Sequence, residues 1–430
     1  MRIASFLVLI VVSINGYSQP SEKTDQIRTF LLENKYQSAL ELINEQLKSG
    51  NDYKLILYKG MALRGVLRYN DAIESFNFAL AKDSDNIQIL TELSNTYKIL
   101  GDYNKVLKYL LKANRIHSSP SVMSEIAAAY FTLEKYDDAK NIYFELLKND
   151  SANTFLLRNI AICYEFAENT DSSIIFFEKA IGSNNYDSQS VIKLCNLFIK
   201  KKSYKKGIDL SDWYRSSDSS NFKINRLNAY LYFLNKDYNI SRNGFTTCIR
   251  NNDTTEFVYK YLGISYFKLE IFDTAQVYLE KAYFKDTTDS QTCYFLGLSC
   301  SASFYKELGI KYINKAIRLM NPSPEYMSGV YQNLAQSCNG YYKYQDGLTA
   351  LLKAYELDPN DTLLLYKIGV QYDRWLNNKS MALSYYSDFL KLFPEKNKET
   401  KDENKELIIT YYDIVTKRIA EIREEIKKEK

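Results

Sequence analysis

The first residue to ask about is the chain's single histidine, His117, because imidazole is the side chain best suited to moving protons near neutrality. It stands just before Ser118-Ser119-Pro120, at the end of a helical stretch, where a cation complements the helix dipole and needs no further role. One histidine excludes an H-E-x-x-H zinc site, and any His-based triad would have to use this residue. No G-x-x-x-x-G-K-S/T or G-x-G-x-x-G loop is present, so nothing argues for a nucleotide phosphate. Acidic clusters such as Asp83-Ser84-Asp85 fall at turns, where carboxylates cap helices; a calcium ion would need a far denser set of oxygens. The residues therefore point to no catalytic group, no metal, no cofactor and no enzyme.

The six cysteines, Cys163, Cys195, Cys248, Cys293, Cys300 and Cys338, show neither CxxC pairing nor metal-ligand spacing. Cys293 and Cys300 lie two helical turns apart, ~10 Å along one helix, too far to bridge. All six fall at small or apolar packing positions, so they read as buried thiols behaving as small hydrophobes. A Cys300–Cys338 bridge between neighbouring segments is the alternative.

Net charge is only +4, from 56 basic and 52 acidic residues, which argues against general nucleic-acid binding. With 15 Gly and 6 Pro the chain is too poor in loop formers for long disorder, and 46% apolar content is ample for a core. Residues 1–18 read as a signal peptide. Arg2 gives a positive start, Ile3–Ile14 is apolar, and Gly16-Tyr17-Ser18 sets small residues before a cut at Gln19. That apolar run is well short of the ~20 residues a spanning helix needs, so an N-terminal anchor is the weaker reading. No later stretch is long enough to span a bilayer. The mature chain is expected to be exported, periplasmic, with secretion or surface association as alternatives, and its leader resembles those of Bacteroidota.

The elements come next. The sequence repeats itself about every 34 residues, with unit starts near Pro20, Tyr53, Ile87, Pro120, Thr154, Ser188, Phe222, Glu256, Ser290, Ser328 and Thr362. Each unit holds two apolar runs at helical spacing separated by a turn, such as Gly101-Asp102, Glu134-Lys135 or Asn235-Lys236-Asp237. Between units, Asp83–Asn86, Asn149–Ser151, Asn251–Asp253 and Asp358–Asp361 supply N-caps for the next helix.

These residues resemble the tetratricopeptide repeat family. The eighth position is small in Gly60, Ser94, Ala127, Ala161, Cys195, Ala229, Gly263, Gly297, Ala335 and Gly369. The eleventh is large in Tyr97, Tyr130, Tyr164, Phe198, Tyr232, Tyr266 and Tyr372, and the seventeenth is aromatic in Tyr36, Tyr69, Tyr103, Tyr136, Tyr204, Tyr238, Phe272 and Tyr344. The twentieth is small in Ala39, Ala72, Ala139, Ser173, Gly207, Ser241, Ala275, Gly309, Gly347 and Ala382, and alanine fills the twenty-seventh in Ala79, Ala113, Ala180, Ala282, Ala316 and Ala354. The departures are the missing Trp at the fourth position, Val106 at a twentieth position, and a degenerate unit after Gly207. Extra residues also stand around Asn321–Pro324 and Asn377-Asn378. The fold expected is all-α: a helix–turn–helix repeat superhelix, or α-solenoid, of about eleven units over 20–396, closed by a capping helix over 402–428. On that last helix Ile408, Tyr412, Val415, Ile419, Ile422 and Ile426 form one apolar stripe, which also has the spacing of a self-association seam.

The resemblance implies that the first helix of each unit lines a concave groove. Carried over by register, that groove takes Arg64, Lys98, Arg158, Phe166, Lys200, Lys223, Arg226, Tyr230, Phe233, Phe257, Lys260, Phe267, Lys268, Tyr294, Tyr366 and Arg374. Gln332, Gln336, Asn339 and Asp373 fall at further groove positions. Bases and aromatics interleave there, which suits a protein or peptide that is acidic or contains aromatics. The family's carboxylate clamp is not expected: Asn95 and Asn196 are in place, but Glu125 and Leu227 stand where the next unit's Asn belongs. The function expected is a non-enzymatic protein-binding scaffold of the cell envelope, with a self-associating structural protein or a cell-wall glycan binder as alternatives.

Overall fold

The computed structural model describes residues 22–48, 50, 52–320, 323–392 and 403–429, with side chains of the last helix described from 411 to 428. The leader over 1–18, the unit start at Pro20, the stretch 393–402 and the Ile408 side chain lie outside the described residues. Among those described there are twenty-three α-helices, one π turn and no strand. The chain divides into two compact units, Met1–Ser190 and Val191–Lys430.

The first unit contains five helix pairs. They are α1 (Glu22–Leu32) with α2 (Tyr36–Leu47), α3 (Tyr53–Gly65) with α4 (Tyr69–Lys82), and α5 (Ile87–Ile99) with α6 (Tyr103–Ile116). After these come α7 (Pro120–Thr132) with α8 (Tyr136–Leu147) and α9 (Thr154–Phe166) with α10 (Thr170–Ser183). The division falls inside α11 (Ser188–Lys200).

The second unit continues with α12 (Tyr204–Ser217), α13 (Phe222–Leu234), α14 (Tyr238–Arg250), α15 (Glu256–Lys268) and α16 (Phe272–Lys285). It then runs through α17 (Ser290–Ala302), α18 (Lys306–Leu319), α19 (Pro324–Gly340), α20 (Tyr344–Leu357), α21 (Leu363–Val370), α22 (Lys379–Leu392) and α23 (Glu403–Glu429). Here α19 begins four residues before Ser328, because Pro324 suits the first helical turn and Ser323 caps it.

Local rules start and stop each helix. Several first helices are capped by side chains, though α15 and α21 are not: Asn86 accepts from the Ile89 amide at 3.2 Å, Asn153 from Leu156 at 3.1 Å and Asp289 from Thr292 at 2.8 Å. They end on a left-handed residue, Leu67, Gly101, Glu134, Glu168, Lys236 or Glu270, whose follower donates back into the last turn. Arg68 N–H to Leu63 O at 2.9 Å and Lys135 N–H to Tyr130 O at 3.0 Å are examples. Gly101 is the only glycine in that conformation among the described residues; elsewhere bulkier residues tolerate it.

Packing within a pair depends on the small eighth residue. Sixteen positions after it comes a large buried side chain from the second helix: Phe76 after Gly60, Phe177 after Ala161, Phe245 after Ala229, Leu279 after Gly263 and Ile313 after Gly297. A Cβ added to Gly60 would stand 2.5 Å from the Phe76 ring. At Gly297 it would stand 2.8 Å from the Ile313 backbone nitrogen, so α17 and α18 touch nearly backbone to backbone. After Cys195 the corresponding residue is only Ser211. There a polar network joins α12 to α13 instead. Asn228 donates to Ser211 Oγ and Asp212, Tyr232 donates to Asp212 at 2.6 Å, and Arg215 donates to Asn225 and Asn228 at 2.8 Å. Each buried polar group in this set finds a partner, which is why the pair that departs most from the repeat still folds.

The six cysteines are free and buried. Burial pushes the thiols of Cys163, Cys195 and Cys300 up to about 12. Cys300 and Cys338 do not bridge.

The last pair differs. Its surplus residue is taken up within the first helix as a π turn over Gln371–Trp375, not at Asn377-Asn378. The wider turn swings Asp373 inward, from the expected groove face to 5% exposure. Arg418 of α23 grips its carboxylate with two bonds of 2.8 and 2.9 Å. Arg418 also reaches Glu421 and Glu425 at 3.0 Å, and Lys379 pairs with Glu425. Val415, Ile419 and Ile422 are buried in one cluster with Leu365, Ala382, Tyr386 and Phe389, so this part of the stripe covers the last pair. Tyr411 meets Tyr366 with ring centroids 4.5 Å apart.

Two outcomes are expected. Gly297→Ala should lower stability by about 1–3 kcal/mol through overpacking, whereas Gly182→Ala, with nothing within 4 Å of the added carbon, should raise it by about 0.4–1 kcal/mol; thermal melts distinguish them. Burial pushes the Asp373 carboxyl up, but the Arg418 hydrogen bonds and charge outweigh this and hold it below the usual range. Its contribution is then complete above the unfolded value of about 3.9 and is lost as pH falls through the lower folded value. Protection from hydrogen exchange over 411–428, measured against the intrinsic rate at each pH, should fall only in acid in the wild type, and already at neutral pH in Asp373→Asn.

Candidate partner-binding surface

In four units the fifth residue of the repeat bonds the turn that opens the next unit. Arg158 Nη1 donates to Asp187 Oδ1 at 2.6 Å, Arg226 Nε to Asp253 Oδ2 at 2.8 Å, Lys260 Nζ to Asp289 Oδ1 at 3.0 Å and Gln332 Nε2 to Asp361 Oδ2 at 3.2 Å. Each of these carboxylates also serves its own turn. Asp289 caps Thr292 N–H, Asp361 accepts from Leu363 N–H, Asp187 from Ser190 Oγ and Asp253 from Thr255 Oγ1. One acid thus starts a helix and fastens the preceding unit to it. Burial pushes Asp289 up, while its bonds from Thr292 and Lys260 outweigh this and hold it below the carboxylate range.

This corrects the expectation for four groove cations. Arg158, Arg226 and Lys260 are partly buried latches spent on the chain's own acids. Arg64 is likewise spent on Glu92, 2.7 Å away and only 13% exposed. The aromatics are corrected in part. Tyr294 is buried, its hydroxyl accepting from Asn333 at 2.5 Å, so it does not line a groove. Tyr230, Phe233 and Phe257 are half-buried in a cluster with Tyr261, at centroid distances of 4.7, 4.9 and 4.6 Å from it. Phe267 packs edge-on against Phe295 at 5.3 Å. These rings pack neighbouring helices against one another and are only partly exposed.

Some of the expected positions do stay exposed. In the first unit these are Lys98 and Phe166, the latter half-exposed against Phe131 at 5.2 Å. In the second they are Lys200, Lys223, Lys268 and Arg374, with Lys268 Nζ 5.5 Å from the Phe295 centroid. Lys98, Lys200, Lys223, Lys268 and Arg374 have no carboxylate partner among the described residues.

A cleft of about 380 Å3 opens on the first-helix face between α19 and α21. Gln332, Gln336, Asn339, Tyr366, Lys367, Val370 and Trp375 line it. Its walls are fixed by bonds between units. Asn339 and Gln371 exchange amide hydrogen bonds of 2.8 Å in both directions, Gln371 donates to Tyr344 O at 2.7 Å, and Lys367 donates to Gln332 at 2.5 Å. Trp375 stacks on Tyr344 at 4.8 Å and 15°. The exposed Gln336 amide points to no protein partner among the described residues, and Tyr366 is half-buried at the floor. Such a recess offers amide groups, an ammonium and aromatic edges between walls that do not have to move.

Sequence reasoning missed the latch acids Asp187, Asp253, Asp289 and Asp361, and the cleft residues Lys367, Gln371 and Trp375. A signal for the acids was present. From Tyr53 onward, Arg158, Arg226, Lys260 and Gln332 are followed by Asp at the next unit's opening turn, whereas Leu57, Thr91, Ser124, Ile192 and Tyr294 are followed by Asn86, Ser119, Asn153, Asn221 and Ser323.

Paired helices of this length, capped and stacked within each unit, define a helical-repeat protein. The tetratricopeptide repeat family model matches residues 364–396, the last helix pair. A TPR repeat-containing protein of Methanocaldococcus jannaschii, MJ1428, is 24% identical over 400 residues, covering 83% of this chain and 67% of its own. Both are likenesses to tetratricopeptide repeats, the first over the last pair and the second at low identity along most of the chain. Among solved structures, a tetratricopeptide repeat protein from Parabacteroides merdae aligns with 17% identity over 59% of this chain and 99% of its own, TM-score 0.41. The C-terminal part of a TPR repeat-containing protein from Cytophaga hutchinsonii aligns with 14% identity over 56% and 97%, TM-score 0.44.

The latch is testable. Arg226→Ala leaves Asp253, at 7% exposure, without its cation and should cost about 2–3 kcal/mol. Adding Asp253→Asn should recover part of that loss in the same denaturant titration.

Proposed function

We propose that the chain is a non-enzymatic scaffold that holds a segment of a partner protein on the first-helix face of its second unit, centred on the cleft between α19 and α21. Tetratricopeptide repeat proteins generally bind proteins or peptides, and this type of fold is typically an interaction scaffold. The observation that carries the reading is a recess whose walls are fastened by bonds between units while Gln336, the remaining Lys367 donors and the ring edges of Tyr366 and Trp375 stay available. Side-chain amides match the donor–acceptor pair of an extended peptide backbone, and rigid walls limit the ordering cost of binding. Lys367 at the rim, with the exposed Arg374 and Lys268 elsewhere in the unit, favours a segment carrying carboxylates. The apolar, Arg2-led stretch over residues 1–18 supports a place of work in the cell envelope after export.

Peptides selected from a displayed random library on the full chain should be rich in acids and aromatics. Gln336→Glu should weaken them about tenfold or more, which is ~1.4 kcal/mol or more, with the melting temperature unchanged, because Gln336 is exposed and fastens no wall of the cleft. Equal binding by that variant would sink the cleft as the site. Arg226→Glu and Lys260→Glu are unsuitable here, because they would break latches.

A further inference from the structure

The turns joining the two helices of a pair are polar at most positions, yet three consecutive turns of the second unit carry bare rings. Phe304 is 94% exposed, Tyr342 80% and Tyr305 58%, with Tyr341 and Trp375 also exposed. Tyr342 holds a left-handed backbone at φ 62, a conformation costly for a bulky side chain. The corresponding left-handed residues in two earlier turns of the unit are the charged Lys236 and Glu270.

The three turns form one edge. Lys306 Nζ donates to Gly340 O at 3.1 Å, Tyr341 OH donates to Glu307 at 3.1 Å, and Trp375 stacks on Tyr344, itself 6.3 Å from the Tyr342 ring. Charge at this edge is biased. Glu307 is paired with Lys311 and accepts from Tyr341, while Asp273 accepts from Ser303 and keeps its charge. That leaves Lys306, Lys343 and Arg374 exposed, against Asp273 and Asp346.

We propose that this edge docks the protein on an anionic bilayer surface. Phe304 and Tyr342 would enter the headgroup–acyl boundary, Tyr305, Tyr341 and Trp375 would lie at headgroup level, and Lys306 and Lys343 would meet lipid phosphates. Of these rings only Trp375 also lines the cleft, and Phe304 and Tyr342 stand almost bare outside it, so they suit a medium that deforms around each ring. Tyr and Trp with flanking lysines are the residues that settle at a membrane–water interface. Cations beside them add attraction to anionic lipid that falls with salt. This inference does not depend on the cleft.

The test is flotation of the full chain with vesicles of phosphatidylcholine, with and without phosphatidylglycerol. The wild type should float with the anionic vesicles, and in a Trp213→Phe background Trp375 emission should shift to shorter wavelength. Phe304→Ser should weaken binding about tenfold, and Tyr342→Ser should weaken it further, with helicity and melting unchanged because both rings are mainly in water. Lys306→Glu with Lys343→Glu should remove the phosphatidylglycerol dependence. Absence of flotation on either vesicle, equal flotation by the ring variants, or rings needed instead for retention on an insoluble polysaccharide would overturn the proposal.

Discussion

Two helices can lie nearly backbone to backbone only where one of them has almost no side chain at the crossing. That constraint runs through both units of this chain. Gly60, Gly263, Gly297 and Gly369 make room for Phe76, Leu279, Ile313 and Tyr386, and alanines do the same in other pairs. Close approach fixes the angle of each pair, and the angle fixes which residues of the first helix face the next unit. The buried ring or branched chain that fills the space is the largest apolar contribution of its pair. Where it shrinks to Ser211, stabilisation passes to a network of hydrogen bonds, which demands that every member be satisfied.

The second layer of specificity is electrostatic and internal. An isolated surface ion pair is worth little because water solvates both partners. The latches differ because the acid is already held by its own cap and is largely removed from water, as Asp187 and Asp253 are. The base therefore meets a carboxylate whose position needs no further ordering. A chain with nearly equal numbers of acids and bases can in this way present few free charges on its first-helix face, although its sequence sorts bases there.

Much of the architecture was legible because it is periodic. The first-helix starts at Tyr53, Ile87, Pro120, Thr154, Phe222 and Glu256 coincide with cap residues that anyone can read, and the small eighth residues mark the crossings. The candidate surface was less legible because a register says which way a side chain points and not what it meets. Arg226 and Lys260 have the right direction and the right charge, yet Asp253 and Asp289 reach them first. Tyr294 shows the same failure for an aromatic. The cleft residues Gln371 and Trp375 were hidden for another reason: the π turn shifts the register within the last first helix, so counting positions past Val370 gives the wrong face.

That one surplus residue has a wider consequence. A repeat that stacks on copies of itself carries no intrinsic instruction to stop, and another pair could in principle be added to any open end. By rotating Asp373 out of its periodic place, the π turn replaces the surface a following pair would need with a socket for a single arginine. Among the described residues, a local slip in helical phase thus turns the outer surface of this pair from a stacking face into a seat for a lid.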